Sequence, residues 1–160
     1  MLLSEPSARA LQPAARTPLA ALIPGLLGLL PFWAVALTSV LETGLDPLLA
    51  LMALIMYGAV ILSFVGALWW GMAIHAPSNA PRATMFVWSV IPALVGWAAT
   101  LTAPETGLRM LMAGLAFQWL LDGMLRRKMP ELLPRWVFRL RSMLTGGALV
   151  PLAFVWFQIV

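Results

Sequence analysis

Residues 47–74 read PLLALMALIMYGAVILSFVGALWWGMAI, without a single Asp, Glu, Lys or Arg. About 20 predominantly apolar residues suffice for a helix to cross the hydrocarbon core of a bilayer, and this stretch exceeds that. A helix that is apolar all round is surrounded by lipid or protein, not by water. Working outward, four further stretches have the same character: 18–41, 82–102, 106–125 and the shorter 143–160. The connections between them are brief. Glu42-Thr-Gly-Leu-Asp-Pro47 is a turn, with Gly44 as helix stop and Asp46 as N-cap of the next helix. His75-Ala-Pro-Ser-Asn-Ala-Pro81 is a Pro-rich loop, and Thr102-Ala-Pro-Glu-Thr-Gly107 is a tight turn in which Pro104 opens the fourth helix. None of these loops is long enough to hold a soluble domain.

Composition agrees with lipid as the main solvent. The 160 residues are 62% hydrophobic and 10% charged, against roughly 25% charged in a soluble domain, and the mean hydropathy is +0.93. The expected fold is an all-α membrane protein, a five-helix transmembrane bundle forming one domain over residues 1–160. Ala34-Val-Ala36 offers a small-x-small cleavage site, but the apolar stretch around it exceeds a signal-peptide core of about 7–15 residues. The first span is therefore read as a retained helix.

The sequence pI of 11.2 does not signal nucleic acid, because the net charge is only +4 and the basic residues cluster between apolar spans. Nine of the ten Lys and Arg fall on one face if the five spans alternate: Arg9, Arg16, Arg82, Arg126, Arg127, Lys128, Arg135, Arg139 and Arg141. Only Arg109 falls on the other, beside Glu42, Asp46 and Glu105. The positive-inside rule then puts the N-terminus in the cytoplasm and the C-terminus outside. Residues 130–142 repeat Leu132, Leu133, Trp136, Val137 and Leu140 on one helical face and Glu131, Arg135 and Arg139 on another. That pattern predicts an interfacial amphipathic helix between spans four and five. With Arg126, Arg127, Lys128 and Arg141, the basic side chains there form a platform for anionic lipid head groups at the inner leaflet.

Three stretches together carry a resemblance: YGAVILSFVGALWWG at 57–71, WSVIPALVGW at 88–97 and LPRWVFRLRSMLT at 133–145, with Pro24 and the Leu121-Asp122 pair. They resemble the bacterial branch of the domain-of-unknown-function 3429 family, whose animal relative is the mitochondrial transmembrane protein 69. The resemblance runs from Pro18 onward. It implies a small multi-pass protein of the bacterial inner membrane and carries no activity with it.

Candidate sites are few. Ala59, Ser63, Ala67 and Gly71 recur every four residues and form a small-residue groove for helix packing. Gly114, Gln118 and Asp122 recur in the same way on span four; polar side chains within a span face the bundle. Asp122 is expected to pair with Arg126 one turn on, or to approach His75. Trp70, His75, Gln118 and Asp122 make up a candidate ligand site near the inner boundary, and His75 also suits the free carbonyls of a helix C-terminus. Trp69, Trp70, Trp88, Trp119 and Trp136 gather at that boundary as an aromatic belt does. Pro24, Pro31, Pro92 and Pro151 remove helical hydrogen bonds and invite kinks. Ile23-Pro-Gly-Leu-Leu-Gly28 and Ile91-Pro-Ala-Leu-Val-Gly96 form a weak internal repeat.

With no cysteine and one histidine, neither thiolate sites nor metal or haem sites needing two imidazoles arise from this chain. No cofactor is expected, and no nucleotide or hydrolase motif is present. With no buried charge network, minimal loops and small-residue faces that suit helix–helix contact, the expected function is non-enzymatic: an accessory or assembly subunit of a larger membrane protein complex. The alternative is a binding or transport module for a hydrophobic ligand such as a quinone or lipid, built on the aromatics with His75, Gln118 and Asp122.

The basic asymmetry is testable. Reporter fusions after Asn79 and Arg127 should report the cytoplasm, and fusions after Gly44, Gly107 and Val160 the opposite side. A loop at 126–128 found outside the cytoplasm would overturn the topology.

Overall fold

The computed structural model describes residues 17–41, 46–77 and 81–159. They form six helices: α1 (Leu19–Leu27), α2 (Leu30–Leu41), α3 (Pro47–His75), α4 (Arg82–Thr100), α5 (Pro104–Lys128) and α6 (Arg135–Ile159). With α1 and α2 joined across a break, they make five helical segments long and apolar enough to cross a membrane. Among the described residues all regular structure is helical. The helix stop expected at Gly44, the basic pair Arg9 and Arg16, residues 78–80 and Val160 lie outside the described residues.

Asp46 caps α3 as expected, its Oδ1 accepting from the N–H groups of Leu48 at 2.8 Å and Leu49 at 3.2 Å. Pro104 is at the first position of α5, two residues ahead of the expected span. At the other end of α3, the Arg82 guanidinium donates to the Ala76 carbonyl and closes the 75–81 connection.

The prolines act in different ways. Span one breaks at Gly28 and Leu29, before Pro31, whose ring has no N–H to give to the carbonyl of Leu27. Tyr57 of α3 reaches into the break, its hydroxyl donating to the Gly28 carbonyl at 2.8 Å. By contrast α6 runs unbroken through Pro151. The carbonyl left without its helical donor there belongs to Gly147, and the Trp33 indole of α2 donates to it at 3.0 Å. In lipid a backbone carbonyl has no water to turn to, so a neighbouring helix supplies the donor. Pro92 also lies within a continuous helix, α4.

The expected amphipathic helix at 130–142 does not form as a separate element. Residues 130–134 are a turn and Arg135 opens α6, which continues into the fifth span. Pro134 sets the start, because a proline fixes φ and needs no donor there. Beyond it the segment 135–150 has no proline to end the helix before it enters the bundle.

Helices α3 and α4 pack closest, and the contact runs through Gly66 and Gly96. A Cβ on Gly66 would sit 2.6 Å from Cγ of Pro92, so the proline ring fills the space that a side chain would need. A Cβ on Gly96 would sit 2.9 Å from the Ala59 carbonyl oxygen. Of the expected small-residue groove, Ala59 packs in this contact. Ser63 is half-buried with its hydroxyl donating to the Ala59 carbonyl, while Ala67 and Gly71 are exposed. The phase is corrected by about one position: the packed stripe is Ala59, Leu62, Gly66, Trp69 and Ala73. Large apolar side chains such as Met56, Val60, Phe64 and Leu94 point outward, whereas Ser89, Gln118, Asp122 and Arg141 are buried. This inversion of the soluble pattern is what hydrocarbon as solvent requires.

Two of the three glycines of α3, Gly66 and Gly71, should respond oppositely to the same substitution. Gly66→Ala overpacks against a rigid ring and should cost about 1–3 kcal/mol in detergent unfolding. Gly71 has nothing within 4 Å of its Cβ position, so Gly71→Ala should be neutral or gain up to about 1 kcal/mol from helix propensity. The reverse order would contradict the packing described.

Candidate functional site

The C-terminal half of α3, the N-terminal half of α4, the C-terminal half of α5 and the start of α6 meet at the end of the bundle that carries most of the basic residues. Span four places Gln118 and Asp122 one turn apart on its inward face, and both are buried. The Trp69 indole of α3 donates to Asp122 Oδ1 at 2.8 Å, and the Gln118 side-chain amide donates to the same oxygen at 3.3 Å. The Trp88 indole of α4 donates to Gln118 Oε1 at 2.9 Å, which leaves the Gln118 NH2 turned toward the carboxylate. On the other side Arg141 of α6 brings Nη2 to 2.6 Å from Asp122 Oδ2. Four helices thus converge on one carboxylate. The rings of Trp69 and Trp88 meet edge to face, 6.4 Å between centroids.

The Arg141–Asp122 approach is a close ion pair without the alignment of a hydrogen bond. Arg141 Nη1 is buried and has no partner among the described residues. Arg141 also lines a cleft of about 600 Å³ between the end of α3 and the start of α6. Its walls are apolar, with Leu68, Met72 and Val137 along the sides and Gly71 leaving an open floor. Its polar points are Arg141, His75 and Glu131.

The expected residues separate into three groups. Gln118 and Asp122 face the bundle and come together. Trp70 does not join them: it is half exposed and lies edge-on to Phe86, 4.8 Å between centroids. Its neighbour Trp69 takes the inward position. His75 is exposed on the cleft, its Nδ1 donating to the Gly71 carbonyl at 2.9 Å, which is the helix-terminal role expected of it. Asp122 pairs with neither Arg126 nor His75, because Arg126 turns away to lie over the Phe138 ring at 5.4 Å. Arg127, Lys128, Arg135 and Arg139 are exposed at the basic end, but Arg141, expected among the head-group residues, is inside the bundle. A sequence signal for this existed. Leu133, Val137 and Arg141 are spaced by four, so Arg141 falls on the apolar face of its helix. Trp69 is likewise in phase with Leu62, Gly66 and Ala73, and Trp70 is not.

Among the described residues no three His, Cys, Asp or Glu side chains converge as a metal site would need. What the arrangement offers is a charge pair whose carboxylate accepts from Trp69 and Gln118, with one buried guanidinium nitrogen left unpartnered in a side chain that lines a mostly apolar cleft. Compared with known families, residues 17–157 match the family described as "Protein of unknown function (DUF3429)". No curated protein and no solved structure matches the chain.

Burial decides how Asp122 responds to substitution. An exposed ion pair is worth under about 1 kcal/mol, but removing one partner of a buried pair strands the other and costs about 3–5 kcal/mol. Asp122→Asn should therefore lower the unfolding free energy by about that larger amount. Asp122→Asn combined with Arg141→Met should recover most of the loss, because the Asn oxygen still accepts from Trp69 and Gln118 and no charge is left buried. A cost below about 1 kcal/mol for Asp122→Asn would place the pair at the surface instead.

Proposed function

The chain belongs to the DUF3429 family, and we propose that it is a non-enzymatic binding module for a neutral, carbonyl- or hydroxyl-bearing hydrophobic molecule, of which a quinone is the simplest class. In this reading it sits in the bacterial inner membrane with its basic end toward the cytoplasm, and the molecule enters the cleft beside Arg141. The carrying observation is Arg141 Nη1, buried without a partner among the described residues, in a side chain that lines a mostly apolar cleft. A buried donor left unmade costs about 1–3 kcal/mol or more. Such groups call for an explanation, an unplaced water or a ligand among them.

Charge argues for a neutral head group. Asp122 already balances Arg141, and Glu131 adds a negative charge to the cleft lining. An anion gains nothing there, whereas a carbonyl oxygen accepts the free N–H without disturbing the pair. His75 adds a complementary point. With Nδ1 committed to the Gly71 carbonyl, the Nε2 of the neutral imidazole is an acceptor, suited to a hydroxyl. The volume of about 600 Å³ falls in the range of small-molecule sites, roughly 300–1,000 Å³. The accessory-subunit reading drew in part on the lack of a buried charge network, and the Asp122–Arg141 pair removes that part of its support.

Titration of delipidated protein with a decyl-substituted benzoquinone, followed by quenching of tryptophan fluorescence, tests the reading. Wild-type protein should show saturable quenching. Gly71→Leu, which projects a side chain into open space at the cleft, should weaken it at least tenfold while leaving thermal stability equal or higher. No saturable quenching in wild type, or unchanged affinity in Gly71→Leu, would overturn the proposal.

A further inference from the structure

On the opposite side of the 129–134 turn, α5 and α6 enclose a second cleft of about 500 Å³ with a different chemistry. Arg126 and Arg127 line it, and no acidic side chain does. Neither arginine has an acidic partner among the described residues, whose ion pairs are Arg109–Glu105 and Arg141–Asp122. The site therefore carries two uncompensated positive charges at the basic end of a membrane bundle. We propose that this cleft binds one anionic phospholipid by its phosphate head group.

The positions of the side chains fit that ligand. Phe138 and Trp119 stack nearly parallel, 16° between planes and 6.2 Å between centroids, across the gap between α5 and α6. Trp119 is fixed from behind, its indole donating to the Ser142 hydroxyl at 2.8 Å. Arg126 lies over the Phe138 ring at 5.4 Å, within cation–π range, so its guanidinium is held over the cleft before any ligand arrives. A planar fork in a fixed position is the arrangement that binds a phosphate through two oxygens at once. Below it, Gly123 leaves the helix backbone open, its nearest neighbour being Phe138 at 3.5 Å from the Cβ position. From there Leu120 and Met124 present exposed apolar side chains along α5, a track for an acyl chain running toward the middle of the bilayer. Headgroup charge, aromatic girdle and acyl track follow in the order in which a phospholipid presents phosphate, glycerol ester and chain.

The two clefts separate by charge. In the first, Asp122 neutralises Arg141, while nothing neutralises Arg126 and Arg127 in the second. The phospholipid proposal accordingly does not depend on the quinone-like ligand, and either can fail alone.

Full-length protein in a neutral detergent is titrated with phosphatidylglycerol, with phosphatidylcholine and with inorganic phosphate, and bound molecules are counted by native mass spectrometry. Wild-type protein should retain one phosphatidylglycerol in preference to phosphatidylcholine. Replacing Arg126 and Arg127 together by Gln should weaken that adduct roughly thirtyfold, from the contribution of each basic residue near an anionic head group. Lys128→Gln with Arg139→Gln removes the same charge from exposed positions outside the cleft and should change binding less than threefold. Equal losses in the two double variants would overturn the site in favour of diffuse surface attraction. Equal retention of phosphatidylcholine would show that charge is not read. Saturation by inorganic phosphate at matching concentrations would make it a phosphate site and overturn the lipid assignment. If the double arginine variant does not fold, Gly123→Leu keeps both charges and blocks the acyl track. It should produce a similar loss, and full retention by it would likewise overturn the proposal.

Discussion

Asp122 and Arg141 face each other at 2.6 Å inside a bundle whose surroundings are hydrocarbon. Neither charge is tolerable there alone, so helices α5 and α6 are locked to the register in which the two meet. Asp122 is one to two turns from the end of α5 and Arg141 is in the second turn of α6, which keeps the intervening turn at 129–134 short. The remaining carboxylate oxygen collects Trp69 from α3 and Gln118 from α5, and Trp88 from α4 orients Gln118 in turn. Buried ion pairs seldom exceed apolar packing in strength, and their best-attested use is to fix register. The same applies here. A carboxylate that takes partners from two other helices, and reaches a third through Gln118, specifies how those helices sit more sharply than interchangeable leucines do.

The rule that every polar group finds its partner inside the protein extends to the backbone. Pro151 strands the carbonyl of Gly147, and Trp33 answers it; the break before Pro31 leaves Gly28 open, and Tyr57 answers that. Pro92 serves a steric purpose instead, its ring filling the notch at Gly66. At these three prolines a helix is joined to a neighbour, and the first span, poorly packed by burial alone, is tied to α3 and α6 by two hydrogen bonds. Among the described residues, the buried side-chain donor that lacks an acceptor at the charged end is Arg141 Nη1, and it belongs to a residue that lines a cleft.

The spans, the Pro104 helix start and the Asp46 cap were legible because they follow from local rules: apolar length, proline punctuation, and a cap two residues from the N–H it serves. The inward turn of Gln118 and Asp122 was legible for the same reason, since hydrocarbon excludes the other direction. Partners were not. Asp122 has Arg126 one helical turn away in sequence and Arg141 nineteen positions away, and only tertiary packing chooses the distant one. The segment 130–142 reads as interfacial because its charges alternate with apolar residues, but Arg141 stands in phase with Leu133 and Val137, and that phase carries α6 into the bundle. The small-residue stripe failed by about one position in helical phase. Glycines at 58, 66 and 71 are equivalent in composition, and what separates them is the neighbour each one meets.

The basic end shows why a count of arginines says little about what they hold. Arg141, Arg126 and Arg127 lie within a few turns of one another on two helices, yet among the described residues Asp122 cancels one charge and no acidic side chain pairs with the others. A neutral acceptor gains from the first environment, where an anion would meet Glu131 and the carboxylate of Asp122. An anion gains from the second, where two guanidinium groups stand without counter-charge beside stacked aromatic rings. Asp122 of α5 therefore does two things at once. It lets an arginine enter the membrane bundle, and it makes the cleft beside that arginine chemically unlike the one on the far side of the same helix.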